Sequence, residues 1–141
     1  MNFERPVKID QIDLFIKDRF SSSFMNNAKW EKLIDTITYS IEKTYIRYKL
    51  IYSDKIYDTY LYGTSDYKPF FEEPIFYKEV EWIEFPKEYK IQDKKYIHGN
   101  LIKGAQKTIF QNINDIEKII NEMGQFLIEN NNSCLKLIAY R

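Results

Sequence analysis

Residues 70–86 read FFEEPIFYKEVEWIEFP, and this stretch decides the fold. Pro74 fixes its own φ and pushes Glu73 towards an extended conformation. After it, Val80, Trp82, Ile83 and Phe85 favour a pleated, half-buried surface. The composition predicts a strand over Ile75–Phe85, closed by Pro86. Alternation puts Phe76, Lys78, Val80, Trp82 and Glu84 on one face, which is expected to bury in its middle. Ile75, Tyr77, Glu79, Glu81, Ile83 and Phe85 fall on the other. There Glu79 and Glu81 lie side by side, and neither should be buried unless a cation pairs with it.

Working outward to the N-terminus, Lys55–Tyr62 and Thr44–Tyr52 read as two strands joined at Ser53-Asp54, a plausible tight turn. In the earlier strand Ile46, Tyr48, Leu50 and Tyr52 form the expected core face. Before them, Trp30, Leu33, Ile34, Ile37 and Ile41 recur at i, i+3, i+4 and i+7, which predicts a helix over Phe24–Lys43. Asn26 or Asn27 can cap it by accepting a hydrogen bond from a free amide of the first turn. Ile12, Phe15 and Ile16 predict a shorter helix from Ile9 to near Arg19, broken by Ser21–Ser23.

Towards the C-terminus, Gly63–Lys68 is a polar loop and Lys87–Lys95 has only Tyr89 and Ile91 as apolar anchors. Tyr96–Phe110, with Gly99 and Gly104, is expected to be irregular, with room for a short strand or a turn of helix. Asn114 with Glu117 resembles a capping box and opens a helix whose stripe is Ile113, Ile116, Ile120, Met123 and Leu127, with Gly124 inside it. Leu135, Leu137 and Ala139 form the core side of a closing strand. The expected architecture over residues 1–141 is one α+β domain. It has a largely antiparallel sheet of about four strands with helices packed on one face.

The chain has 141 residues, enough for a hydrophobic core. Charged residues are 30% and hydrophobic residues 44%, a soluble globular composition rather than a disordered one. Net charge is zero, which argues against nucleic acid as the main partner. The zero conceals an asymmetry. Asp54–Glu88 holds nine acids against four bases, whereas Tyr89–Gln111 holds five lysines against Asp93 alone. The single cysteine, Cys134, suits a reducing compartment, and no apolar run approaches the ~20 residues of a membrane span. The N-terminal residues show no apolar signal region. A cytoplasmic protein is the expectation.

No catalytic constellation stands out, and no cofactor or metal site is expected. His98, the sole histidine, lies between glycine-containing stretches where a general base could sit, although no serine or cysteine nucleophile is near it in sequence. Cys134 follows a helix C-terminus, the wrong end for lowering a thiol pKa, and reads as packing. Lys107-Thr108 after Gly104 lacks the glycine spacing of a phosphate loop. The carboxylates Glu72, Glu73, Glu79, Glu81 and Glu84 match no calcium loop. They read either as solvated charge or, with Tyr77 among them, as a surface that docks a basic protein.

Two blocks, SFMNNAKW at 23–30 and EEPIFYKEVEWIEFP at 72–86, resemble an uncharacterised family of small bacterial domains, from about Phe24 to Pro86. Small α+β proteins of this character are also similar to bacterial immunity proteins. That likeness implies a non-enzymatic protein that binds and blocks a cognate toxin, and carries no residues with it. The local acidic excess makes Glu72, Glu73, Tyr77, Glu79, Glu81 and Glu84 the expected surface over a basic, nuclease-like cleft. The alternatives are a small enzyme using the 96–110 segment with His98, or a homodimeric scaffold. No nucleic acid or membrane partner is expected, and the chain is a monomer or homodimer.

Overall fold

The computed structural model describes residues 2–6, 8–61 and 76–141. Three helices and seven strands form one small α+β domain among them. The helices are α1 (Ile9–Arg19), α2 (Asn27–Ser40) and α3 (Ile113–Met123). The strands are β1 (Tyr45–Leu50), β2 (Ile56–Tyr60), β3 (Val80–Pro86), β4 (Glu88–Ile97), β5 (Asn100–Phe110), β6 (Ile128–Asn130) and β7 (Cys134–Ile138). Five strands make an antiparallel sheet ordered β2-β1-β3-β7-β6, one more than expected, and β4 and β5 pair separately as a two-stranded ribbon.

The strand at the centre of the sheet is β3, flanked by β1 and β7. Ile83 and Phe85 of β3 are fully buried. So are Ile46 of β1 and Leu135 and Leu137 of β7, with Tyr48 and Leu50 nearly so. This face meets Trp30, Leu33, Ile34 and Ile37 of α2, Ile113, Ile116 and Ile120 of α3, and Ile12 of α1 in one core. Each such aliphatic side chain contributes about 1.5–3 kcal/mol as an upper estimate.

The face assignment within the 75–85 stretch is corrected. Tyr77–Glu79 forms a single 3-10 turn and the strand starts only at Val80. The alternation breaks inside the strand: Lys49 pairs with Trp82 and Leu50 with Val80, so Glu81 is an extra residue between them and Val80 and Trp82 no longer share a face. Ile83 and Phe85 therefore take the core side, and Trp82 and Glu84 take the open one. Ile75 lies outside the described residues, as do Tyr62 and the 63–68 loop.

The helices start where local chemistry starts them. Asn26 Oδ1 accepts from the Lys29 amide at 2.8 Å, the expected cap of α2. α3 begins earlier than expected, with Asn112 accepting from the Asp115 amide at 3.2 Å. Asn114 and Glu117 do not form a capping box. Both side chains accept from Asn130 Nδ2 instead, at 3.3 and 2.7 Å. Gly124 is not inside α3 but ends it, at φ 153°, a conformation open essentially to glycine alone. Lys32 Nζ then donates to the Met123 carbonyl at 3.0 Å and Lys29 Nζ to that of Gln125 at 2.9 Å, binding the end of α3 to α2.

The expectation of an irregular 96–110 segment is overturned. It is β5, joined to β4 through the two-residue turn His98-Gly99. His98 has φ 52° and Gly99 φ 78°. Two positive φ values in a two-residue loop match the twist of the flanking strands. The position of His98 favours Asn, Asp or Gly. His98→Asn is expected to preserve or tighten the ribbon. His98→Val should loosen it by about 1–2 kcal/mol, read as faster amide exchange in β4 and β5 with the body unchanged. Uniform exchange across both variants would contradict this role.

Candidate functional site

Among the described residues, the acids singled out in the sequence each meet a cation of the same chain. Glu72 and Glu73 lie outside the described residues. Tyr77 is half-buried and stacks on Trp30, its ring 6.0 Å from the indole, and burial pushes its hydroxyl pKa up. Glu79 is fully buried. One of its oxygens accepts from Arg5 Nε at 2.5 Å and from the Tyr52 hydroxyl at 3.2 Å. The other accepts from a second Arg5 nitrogen at 3.2 Å and from the Phe76 amide at 2.6 Å. The condition that a carboxylate here must find a cation before burying is met, by a residue 74 positions away.

Glu81 pairs with Lys49 at 2.9 Å and Glu84 with Arg47 at 2.8 Å. Glu84 also accepts from Cys134 Sγ at 3.5 Å. Burial first, and then the Glu84 charge, raise the Cys134 thiol pKa, so it is not an activated nucleophile. Strand register extends the pattern. Asp58, Arg47, Glu84, Lys136 and Glu129 lie opposite one another across β2, β1, β3, β7 and β6, so charge alternates from edge to edge of the sheet. Opposite charges facing across strands each contribute roughly 0.2–1 kcal/mol. The next row carries Ile56, Lys49, Trp82 and Ile138, with Lys136 Nζ 4.4 Å from the Trp82 ring. The open face of the sheet thus pairs its own charges, and of the expected docking residues Glu79, Glu81 and Glu84 each meet a cation of the same chain.

His98 sits exposed in the ribbon turn, away from the described cavities. Among the described residues, no three His, Cys, Asp or Glu side chains cluster to hold a metal ion. No helix among them is long and apolar enough to cross a membrane.

What sequence reasoning missed is the ribbon itself. Among the described residues, no core side chain comes from β4 or β5. The ribbon is tied down at its base. Gln111 Nε2 donates to the carbonyls of Tyr45 and Pro86 at 3.1 and 2.8 Å, and its Oε1 accepts from the Tyr45 amide at 2.8 Å. The Gln111 amide donates to the Lys87 carbonyl at 2.7 Å. The Tyr89 ring stacks on Tyr45 at 4.1 Å, and Tyr60 meets it edge-on. Burial, and then a hydrogen bond with Tyr60, push the Tyr89 hydroxyl up to about 12.

Beside this base lies a cavity of about 600 Å³ between the ribbon, the end of α2 and α3. Its apolar lining is Ile41, Ile109, Phe110, Ile116 and Ile119, and Lys43, Lys118, Asp115 and Glu122 add charge of both signs. The volume falls in the range of ligand-binding clefts. Phe110 at the base is 70% exposed and Tyr96 near the turn 73%, the largest apolar exposures among the ribbon's described side chains.

The sequence matches a family of unknown function, DUF6678, over residues 12–141. The chain belongs to that family. Membership bears out the expectation of an uncharacterised family, and the match extends well beyond the Phe24–Pro86 region that suggested it. It carries no activity to these residues, so the ribbon and its groove are judged on geometry alone. Comparison with curated proteins and with solved structures finds no match.

Proposed function

We propose that this member of DUF6678 is a non-enzymatic protein-binding module. It works as immunity proteins do, by covering the working surface of a partner, and it uses the β4–β5 ribbon and the groove at its base. A cytoplasmic role fits its single cysteine. The observation that carries this reading is that two strands of ten and eleven residues are ordered without giving the core a single described side chain. Fixing a backbone costs about 1–2 kcal/mol per residue, normally offset by burial. Here two of the apolar groups that could offset it, Tyr96 and Phe110, remain exposed, and Tyr89, Ile91 and Ile109 are only half-buried. Aromatic anchors with nearby cations are what protein interfaces enrich. The exposed position of His98 and the raised Cys134 pKa support a binding role over a catalytic one.

Shortening the ribbon tests this. Lys90 and Thr108 are partners in register, so Asn-Gly can close the hairpin in place of residues 91–107. The shortened chain is expected to unfold in urea within about 1 kcal/mol of the full chain, because the core is untouched. Crosslinking in the native host should recover a stoichiometric partner with the full chain and lose it with the shortened one. Equal recovery by both chains, or collapse of the shortened fold, overturns the reading. A ribbon-dependent shift to dimer mass in light scattering, with no other protein recovered, would replace it with self-association.

A further inference from the structure

The N-terminal residues and the Tyr77–Glu79 turn meet at a contact that the ribbon reading leaves unused. Glu79, fully buried, is the floor of a slot to which the Tyr52 hydroxyl and the Phe76 amide also donate. Arg5 closes the slot from outside. Its Nε and a terminal nitrogen each reach one carboxylate oxygen, at 2.5 and 3.2 Å, and its side chain is 41% exposed. We infer that this slot is a binding site for an arginine side chain on an extended segment of a partner protein. In the free chain its own residues 2–6 fill it as a strap.

The floor selects the ligand. A carboxylate at 0% exposure has to hold a cation. Two nitrogens of one planar fork meet its two oxygens, a fit that the point charge of a lysine does not reproduce. A second contact lies two residues earlier on the strap. The Phe3 amide donates to the Tyr52 carbonyl at 2.7 Å. The Phe3 ring meets Phe15 edge-on at 5.4 Å, and the Arg19 guanidinium lies 4.0 Å from the ring centre. Tyr52 thus serves both contacts, through its carbonyl and its hydroxyl. What the surface reads is Phe-x-Arg, by one main-chain hydrogen bond, one aromatic contact and one forked ion pair.

The strap is seated so that another segment can replace it. Residues 2–5 are exposed and none of them belongs to the core, so exchange leaves the core closed. Arg5 also precedes residues 12–141, the part shared with the family, whereas Tyr52, Phe76 and Glu79 lie inside it. Because Glu79 is buried, the slot releases one guanidinium only to another. The tethered strap competes at an effective concentration on the order of millimolar, which sets the affinity a partner has to exceed. The basic partner expected from the sequence narrows to one arginine at one carboxylate.

The test uses full-length chains and a blocked peptide of residues 2–6, Asn-Phe-Glu-Arg-Pro. Arg5→Ala empties the slot. Added peptide should raise the folded-to-unfolded ratio of this variant in urea as 1 + [L]/Kd, about elevenfold at ten times Kd. Ethylguanidinium at millimolar concentration, far below denaturing levels, should act in the same direction. The peptide with glutamine for its arginine should have no effect, and that with alanine for its phenylalanine a smaller one. Arg5→Ala combined with Glu79→Gln should respond to neither ligand. Phe3→Ala keeps the ion pair and covers the case in which Arg5→Ala does not fold unaided. In fluorescence anisotropy it should bind the labelled peptide about tenfold more tightly than the native chain, whose strap competes better.

No response of a folded Arg5→Ala, an equal response with Glu79→Gln present, or equal peptide binding by the native chain and Phe3→Ala overturns the inference. A native dimer in light scattering that the peptide dissociates would assign the slot to strap exchange between two copies, and overturns a partner protein as its occupant. None of these measurements involves the ribbon, so the binding-module reading stands or falls separately.

Discussion

Arg5→Leu is expected to lower the stability of the fold by about 3–5 kcal/mol, more than Glu79→Gln at the other end of the same ion pair. The asymmetry comes from burial. The Glu79 side chain is 0% exposed, whereas that of Arg5 is 41% exposed. Removing the arginine leaves a carboxylate inside the protein with the Tyr52 hydroxyl and the Phe76 amide as donors. Glu79→Gln keeps an acceptor for those donors and leaves a guanidinium that already reaches water. Its loss should be about 1–2 kcal/mol. Arg5→Leu combined with Glu79→Gln should be more stable than the sum of the single losses implies, because the stranded charge is gone. Urea midpoints at constant slope measure all three. An Arg5→Leu loss below about 1 kcal/mol would mean that the N-terminal segment does not hold the Tyr77–Glu79 turn in place.

The same ion pair shows where sequence legibility ended. That Glu79 could be buried only with a cation was readable from its strand of apolar neighbours. Which cation was not, because Arg5 is 74 positions away and nothing local points to it. The alternation rule then failed at one extra residue, Glu81, after which Trp82 and Glu84 take the open face and Ile83 and Phe85 the core, although Val80 is buried as expected. The one-sided elements were legible. α1, α2, the inward face of β1 and the Leu135, Leu137 and Ala139 side of the last strand each bury one side, and burial writes a period into the sequence. Among the described side chains, the ribbon half-buries one side at its base, Tyr89, Ile91 and Ile109, and no more. With solvent around most of it, Lys, Gln and Thr satisfy both faces and no period arises, so β4 and β5 passed for irregular chain. Gly124 was misread for a related reason. The Ile-Met-Leu stripe continues past it although the helix does not, because Leu127 leads into the short edge strand β6.

Trp30→Ala is expected to cost about 3–5 kcal/mol, the other large loss in this fold. Trp30 is 1% exposed at the start of α2, ahead of Leu33, Ile34 and Ile37, which are also buried. Truncating it removes the transfer energy of the indole and leaves a space that close-packed neighbours fill only in part. The indole also supports the functional architecture at one remove. It stacks on Tyr77 at an interplanar angle of 14°, and Tyr77 opens the turn that carries Glu79 to Arg5. Loss of the ring should therefore loosen the ion pair as well as the core. Combined with Arg5→Leu, the two losses should fall short of additivity by about 0.5–3 kcal/mol, since each variant already weakens what the other removes. Tyr39, on the same helix and 93% exposed, provides the contrast, and Tyr39→Ala should stay within about 0.5 kcal/mol of the parent. Strict additivity of Trp30→Ala with Arg5→Leu would show that the Tyr77 stack does not transmit to Glu79. A Trp30 loss no larger than that of Tyr39 would show that α2 is not seated on the sheet through this side chain.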